Sequence, residues 1–176
     1  MNMNRLLCTH VGTRGDFPTP GELGEWSEAR LKKMCKVGYR AKRILRLARD
    51  VERGRLELAW FEDPARDTDE LYEALTGIYG VGPYAAHNIL QLLGRYDRLP
   101  VDSETLRHFR QLHNVHGSLK RVTRAAQKHY NRYAPFQFIA YWYELWSDYE
   151  RRFGKSRVWG EEVYSSFTSN QLDDGG

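Results

Sequence analysis

Apolar residues recur at helical spacing along most of the chain, and polar or glycine punctuation divides them into short helices. Thr19-Pro20-Gly21-Glu22 has capping-box spacing with proline at the first helical position, so a short helix starts there. Ser27 caps a second helix through Met34, Gly38 breaks it, and a third runs from about Tyr39 to Arg53, ended by Gly54. In that third helix Ala41, Ile44, Leu45, Ala48 and Val51 share one face, and basic side chains take the other. Residues 57–67, with Pro64 among them, read as a connection. Asp67 or Thr68 caps a helix through about Thr76. A glycine-rich hairpin, Gly77 to Gly82, leads into a helix from Pro83 to Leu93. After a loop over 94–101, Asp102 or Ser103 opens a helix to about His113. Ser118 caps another, with Leu119, Val122, Ala126 and Tyr133 on its apolar side. The last long helix spans Pro135 to Phe153 and carries large apolar residues on nearly every side, which predicts that it is largely buried. No strand pattern emerges, so the class is all-α. The tail, 165–176, reads as disordered, leaving 1–164 as the folded part.

With 176 residues the chain is one domain or two small helical lobes, and 41% hydrophobic and 13% aromatic residues suffice for a packed interior. Mean hydropathy is −0.69, and no apolar run approaches the roughly 20 residues of a membrane span. Met1 to His10 holds one arginine and a short apolar patch, unlike a secretory signal, so a soluble intracellular protein is expected, cytoplasmic if bacterial. Cys8 and Cys35 are too few for a disulfide framework and too isolated for a zinc or iron–sulfur site. Charge changes the picture more. From Glu28 to Arg55 there are 11 Lys or Arg against Glu28, Asp50 and Glu52, whereas the chain beyond Tyr143 turns acidic. Such a one-sided basic surface fits a polyanion, and equally a solvated helix face.

The hairpin Gly77-Ile78-Tyr79-Gly80-Val81-Gly82-Pro83-Tyr84-Ala85-Ala86 is the most informative stretch. Gly80 and Gly82 permit a sharp turn, with φ available on both sides of zero, and amides left uncrowded at a helix start suit a phosphate oxygen. Ala85 and Ala86 allow close helix packing. Asp102 lies 18 residues beyond Tyr84, after Leu99-Pro100-Val101, where one helix and one loop would return the chain to the hairpin. It can serve as an N-cap, a catalytic carboxylate, or both.

Gly80-Val81-Gly82-Pro83-Tyr84-Ala85-Ala86 followed by Leu99-Pro100-Val101-Asp102 resembles the helix-hairpin-helix–Gly/Pro–Asp DNA glycosylase superfamily. Phe17-Pro18-Thr19-Pro20 with Glu22-Leu23, and Gly38-Tyr39-Arg40-Ala41, resemble its 3-methyladenine and 8-oxoguanine glycosylase branch. The resemblance runs from about Phe17 to Phe153. It implies two helical lobes with the hairpin at their cleft, and a base-excision enzyme that flips a damaged base out of double-stranded DNA. It further implies that Gly80, Val81, Gly82 and Tyr84 grip a phosphate, with a monovalent cation at the hairpin backbone, and that Asp102 is catalytic, stabilising the oxocarbenium-like sugar. Bifunctional relatives place a Schiff-base lysine in the hairpin helix. The matching position here is Tyr84, and no lysine occurs from Gly77 to Ser103, so a monofunctional glycosylase without lyase activity is expected. The four-cysteine iron–sulfur loop of other branches is absent from the sequence, and no cofactor is expected.

Family members carry more sequence before the Phe17 region, whereas this chain starts in what reads as a helix around Asn4 to Thr9, so its N-terminal part is expected to be truncated. His87, His108, His113, His116 and His129 form no metal-binding spacing. Arg107, one turn after Asp102, can touch phosphate or pair with Asp102. The expected partner is damaged duplex DNA and the expected state a monomer, with alkylated purines the leading lesion ahead of oxidised guanine and mismatched or deaminated bases. The rival readings are a non-catalytic module binding duplex DNA without sequence preference, with Asp102 only a cap, and an inactive fragment or unrelated helical interaction protein.

Overall fold

The computed structural model describes residues 2–160, and there it contains helices and no strand. In order these are α1 (Asn2–His10), α2 (Pro20–Gly24), α3 (Glu28–Cys35), α4 (Arg40–Glu52), α5 (Leu58–Glu62), α6 (Thr68–Gly77), α7 (Pro83–Leu92), α8 (Ser103–Leu112), α9 (Leu119–Tyr130) and α10 (Gln137–Phe153). Two single 3₁₀ turns, Asn131–Tyr133 and Ser156–Val158, follow α9 and α10. The all-α expectation holds. The tail expected to be disordered, 165–176, lies outside the described residues.

The chain divides into two compact units, Met1–Gly82 and Pro83–Gly176. In the first unit, Leu7, Leu23, Trp26, Leu31, Cys35, Ala41, Leu45 and Ala48 pack into one core from α1 to α4. The α2 start is the capping box expected: Thr19 Oγ1 accepts from the Glu22 amide at 3.3 Å, and Glu22 Oε2 accepts from the Thr19 amide at 2.7 Å. Ser27 caps α3 through the Arg30 amide. Both cysteines are free thiols, and burial pushes the Cys35 thiol up.

In the second unit, Phe109, Val122, Ala126, Tyr130, Tyr141, Leu145, Tyr149 and Trp159 form the core between α8, α9 and α10. Each helix contributes one stripe. Val122, Ala126 and Tyr130 recur every fourth residue on α9, and Phe138, Tyr141, Leu145 and Tyr149 follow at steps of three and four on α10.

Several expectations need correction. Residues 57–67 contain a short helix, α5, with no buried residue and no side-chain cap, so no apolar stripe announced it. The last helix begins at Gln137 rather than Pro135, after a tight turn in which the Phe136 amide donates to the Tyr133 carbonyl at 2.7 Å. It is also not largely buried, because Ile139, Trp142, Tyr143 and Phe153, which lie beside its core stripe, are exposed. On α9, Leu119 and Tyr133 are exposed. Leu119 sits on the first turn, and Tyr133 falls in the 3₁₀ turn, where the helical phase is lost and Tyr130 takes the core position instead.

Candidate active site and nucleic-acid interface

Asp102 is the N-cap of α8, in extended conformation, so its carboxylate projects over the first turn. Its Oδ1 accepts from the Thr105 amide at 3.1 Å and lies 3.3 Å from Thr105 Oγ1. Thr105 Oγ1 returns the contact by accepting from the Asp102 amide at 3.3 Å, completing a capping box. Behind it, the buried Tyr141 hydroxyl of α10 lies 3.0 Å from Thr105 Oγ1. Tyr141 donating to Thr105, and Thr105 to Asp102, is a sequence of donors that satisfies every group. Burial, opposed by the Thr105 hydrogen bond and aided by the Asp102 charge, raises the Tyr141 pKa.

Tyr84, on the first turn of α7, has its phenol beside the Asp102 carboxylate. Desolvation of the half-exposed ring first, then the neighbouring negative charge, raises its pKa, so at neutral pH it stays a phenol. Asp102 is held by donors of α8 while remaining only half-buried. Cap and reachable carboxylate coexist in one residue.

The hairpin is a β-turn closed by the Val81 amide donating to the Ile78 carbonyl at 3.0 Å, with Gly80 at φ +90°. That φ at the third turn position is the glycine requirement of a type II turn. A Cβ on Gly80 would also lie 2.5 Å from Arg43 Cδ. Gly82 differs. Its φ is not in the left-handed region, and a Cβ there would meet nothing within 4 Å. The expectation that both glycines supply unusual φ is thus corrected to Gly80 alone. Gly80, Gly82 and Tyr84 are exposed, while the Val81 amide is used inside the turn.

The basic face of α4 lies beside the same turn within the first unit. A groove of about 870 Å3 is lined by Lys42, Arg46, Arg49, Arg53 and Arg55, with Asp50 its one carboxylate. Asp50 accepts from Arg55 Nε at 2.9 Å and stands 3.8 Å from Arg46 Nε. Aromatic rings support the cations: Arg46 lies 4.5 Å from the centre of the Tyr79 ring, and Arg43 lies 5.0 Å from that of Tyr39. Arg107 does not pair with Asp102, one of the two roles expected of it. It pairs with Glu104, stands 3.6 Å from Asp148 and lies against the Tyr149 ring.

Sequence spacing gave no warning of one further cluster. His108 on α8, His113 at its C-cap and Glu144 on α10 bring potential ligand atoms within 4.8 Å of one another. His108 Nε2 is 3.1 Å from Glu144 Oε1, and His113 Nε2 contacts the same oxygen. His129 Nε2, on α9, is 3.6 Å from Glu144 Oε2. Burial lowers the pKa of His108 and His129 against the pull of Glu144. Glu144 is itself lowered, because its contact with His113 and the charges of His113 and His108 outweigh its burial.

An all-helical chain with a glycine hairpin opening one helix and a capped aspartate opening the next has the fold of the helix-hairpin-helix DNA glycosylases. The solved structures similar to it are of that type. MBOgg1, solved in complex with a low-affinity DNA ligand, is 26% identical over 88% of this chain and 54% of its own, with a TM-score of 0.71. The DNA-3-methyladenine glycosidase of Bacillus halodurans is 27% identical over 82% of this chain and 64% of its own, at TM-score 0.62. The 8-oxoguanine glycosylase/lyase of Clostridium acetobutylicum, at 22% identity, covers 82% of this chain and 51% of its own at TM-score 0.65, and supports the fold alone. This chain thus spans about half the length of the first of these neighbours. No protein-family model and no curated protein matches its sequence. The resemblance drawn from the hairpin and Asp102 is borne out at the level of the fold.

Proposed function

We propose that this chain is a monofunctional DNA glycosylase of base-excision repair, with Asp102 as its catalytic carboxylate. The observation that carries the reading is Asp102 itself, anchored by the Thr105 amide and hydroxyl yet half-exposed. A carboxylate so fixed needs no reorganisation as positive charge develops on a deoxyribose beside it, which is where electrostatic stabilisation acts most strongly. As the N-glycosidic bond breaks, the base leaves with the bonding electron pair. The carboxylate stabilises the oxocarbenium-like sugar and orients the water that adds to it, accepting that water's proton.

The exposed glycine turn and the arginine-rich groove support binding of the sugar–phosphate backbone, which positions a duplex without reading its sequence. The absence of lysine from Gly77 to Ser103 supports hydrolysis without strand cleavage: the Tyr84 phenol has no amine with which to form an imine. Alkylated purines are the favoured lesion, and a monomer the favoured state. One observation favours a non-catalytic DNA-binding module instead, namely that the capping box already gives Asp102 a structural task.

The deciding experiment is base release from duplexes each holding one lesion, for wild type and Asp102→Asn, with and without alkali. Asparagine caps helices as well as aspartate does, so the variant keeps its fold and removes only the charge. Release by wild type alone, with strand breaks only after alkali, supports the enzyme. Strand breaks without alkali refute the monofunctional reading. Salt-sensitive binding with no release from any duplex favours the binding module.

A further inference from the structure

We infer that His108, His113, His129 and Glu144 form a structural zinc site that ties α8, α9 and α10 together. Ligand atoms of His108 on α8, His113 at its C-cap and Glu144 on α10 lie within 4.8 Å of one another, and His129, in the last turn of α9, stands at the second oxygen of Glu144. Three neutral imidazoles with one carboxylate are a nitrogen-rich donor set of borderline softness, which suits zinc and not magnesium or calcium.

The spacing agrees with the chemistry. Zinc bonds of about 2.0–2.1 Å in a tetrahedron place neighbouring ligand atoms about 3.3–3.4 Å apart. His108 Nε2 stands 3.1 Å from Glu144 Oε1, close to that edge, while His129 Nε2 faces the other carboxylate oxygen, 3.6 Å from Oε2. The His113–Glu144 contact is closer than that, so His113 would swing outward on binding. It can do so, because its ring is partly exposed and follows the last helical residue. His129 has only to close on the other three. Its ring centre is 4.4 Å from that of His113.

The surroundings hold the ligands in place. The His108 ring is fully buried, with Phe109 and Tyr141 against it at 5.9 and 5.7 Å between ring centres. The buried Tyr130 hydroxyl closes the inner side of the cluster, 3.5 Å from His108 Nε2. Four protein ligands fill a tetrahedron and leave no position for water. The site is therefore structural rather than catalytic, and it is independent of Asp102 and of any activity on DNA.

The test uses untagged full-length protein, stripped with chelator and then dialysed against micromolar zinc, with metal counted by elemental analysis. Wild type should retain about one zinc per chain, and its Tm should rise with free zinc. Cobalt should give the intense visible bands of a tetrahedral site, a readout needing no variant. Glu144→Gln and the double variant His113→Ala, His129→Ala should lose both the metal and the Tm rise. His116→Ala, outside the cluster, should keep them. Wild type that retains no more zinc than the double variant would overturn the inference. So would zinc that persists undiminished in both cluster variants, or octahedral cobalt spectra. None of these readouts involves base release, so failure of the glycosylase reading leaves them unaffected.

Discussion

Replacing Gly80 by alanine tests whether the hairpin is shaped by a true glycine requirement. Two costs are expected. The turn holds Gly80 at φ +90°, a region in which an L-residue is destabilised by roughly 1–2 kcal/mol. The new Cβ would also fall 2.5 Å from Arg43 Cδ and 2.7 Å from Cγ, so the arginine must leave. Its departure gives up the 5.0 Å seat over Tyr39, about 0.5–1 kcal/mol at an exposed site. Together these predict a loss of roughly 1.5–3 kcal/mol, read by urea unfolding followed by circular dichroism. A double-mutant cycle separates the two. In an Arg43→Ala background Cγ and Cδ are gone and only Cβ remains, at 3.1 Å, so Gly80→Ala should cost little beyond the backbone part, with a coupling of about 1 kcal/mol. Gly82→Ala is the companion. Nothing lies within 4 Å of its Cβ, so stability should hold while DNA affinity falls if a phosphate docks there. A Gly80→Ala protein within about 0.5 kcal/mol of wild type refutes the strain argument, and equal costs in both backgrounds refute the Arg43 clash.

Three further outcomes are expected. Thr105→Val removes the hydroxyl between Asp102 and the buried Tyr141, leaving the phenol unpaired, so thermal or urea unfolding should report a loss of about 1–3 kcal/mol. Neutralising Arg49 and Arg53 in the α4 groove should weaken duplex binding across all sequences, and each lost phosphate contact should lower the slope of log affinity against log salt by about 1; an unchanged slope would remove the groove from the DNA interface. Glu22 accepts hydrogen bonds from Thr13 and Thr19 that hold its carboxyl at about 2 against an ordinary 4.5. A depressed folded-state value means its stabilisation is complete above pH 4.5 and is lost as pH falls towards 2, so Glu22→Gln should flatten the acid limb of a Tm-against-pH curve over that window.

Most of the helical order was legible because it is written in local signals. Thr19, Ser27, Asp67, Asp102 and Ser118 each cap the helix their sequence position announces, and each does so through its own side chain. Aspartate and glycine carried the candidate site for the same reason: Asp102 precedes a helix, and Gly80 sits in a turn only glycine enters easily. What failed was inference from composition without phase. Aromatics surround α10, yet burial follows the stripe through Phe138, Tyr141, Leu145 and Tyr149, and Trp142 and Tyr143 stay exposed despite their chemistry.

The histidine cluster shows the other limit. Periodicity reports which side chains share a face of one helix, and it says nothing about side chains on different helices that meet. His108 and His113 are five apart, a separation that spreads side chains by about 140° on a continuous helix of 3.6 residues per turn. They meet through Glu144 of α10, whose Oε1 both imidazoles contact, while His113, the C-cap of α8, stacks on Phe109 one turn back at 4.5 Å. His129 and Glu144 then arrive from α9 and α10. No pairwise spacing in the chain encodes that meeting. Thr105 and Tyr141 are 36 residues apart and illustrate the same point behind Asp102, where the cap was readable and the hydroxyl supporting it was not. A catalytic or metal-binding constellation is assembled by tertiary packing from residues that each look ordinary locally, so sequence motifs recover its anchoring member while packing supplies the rest.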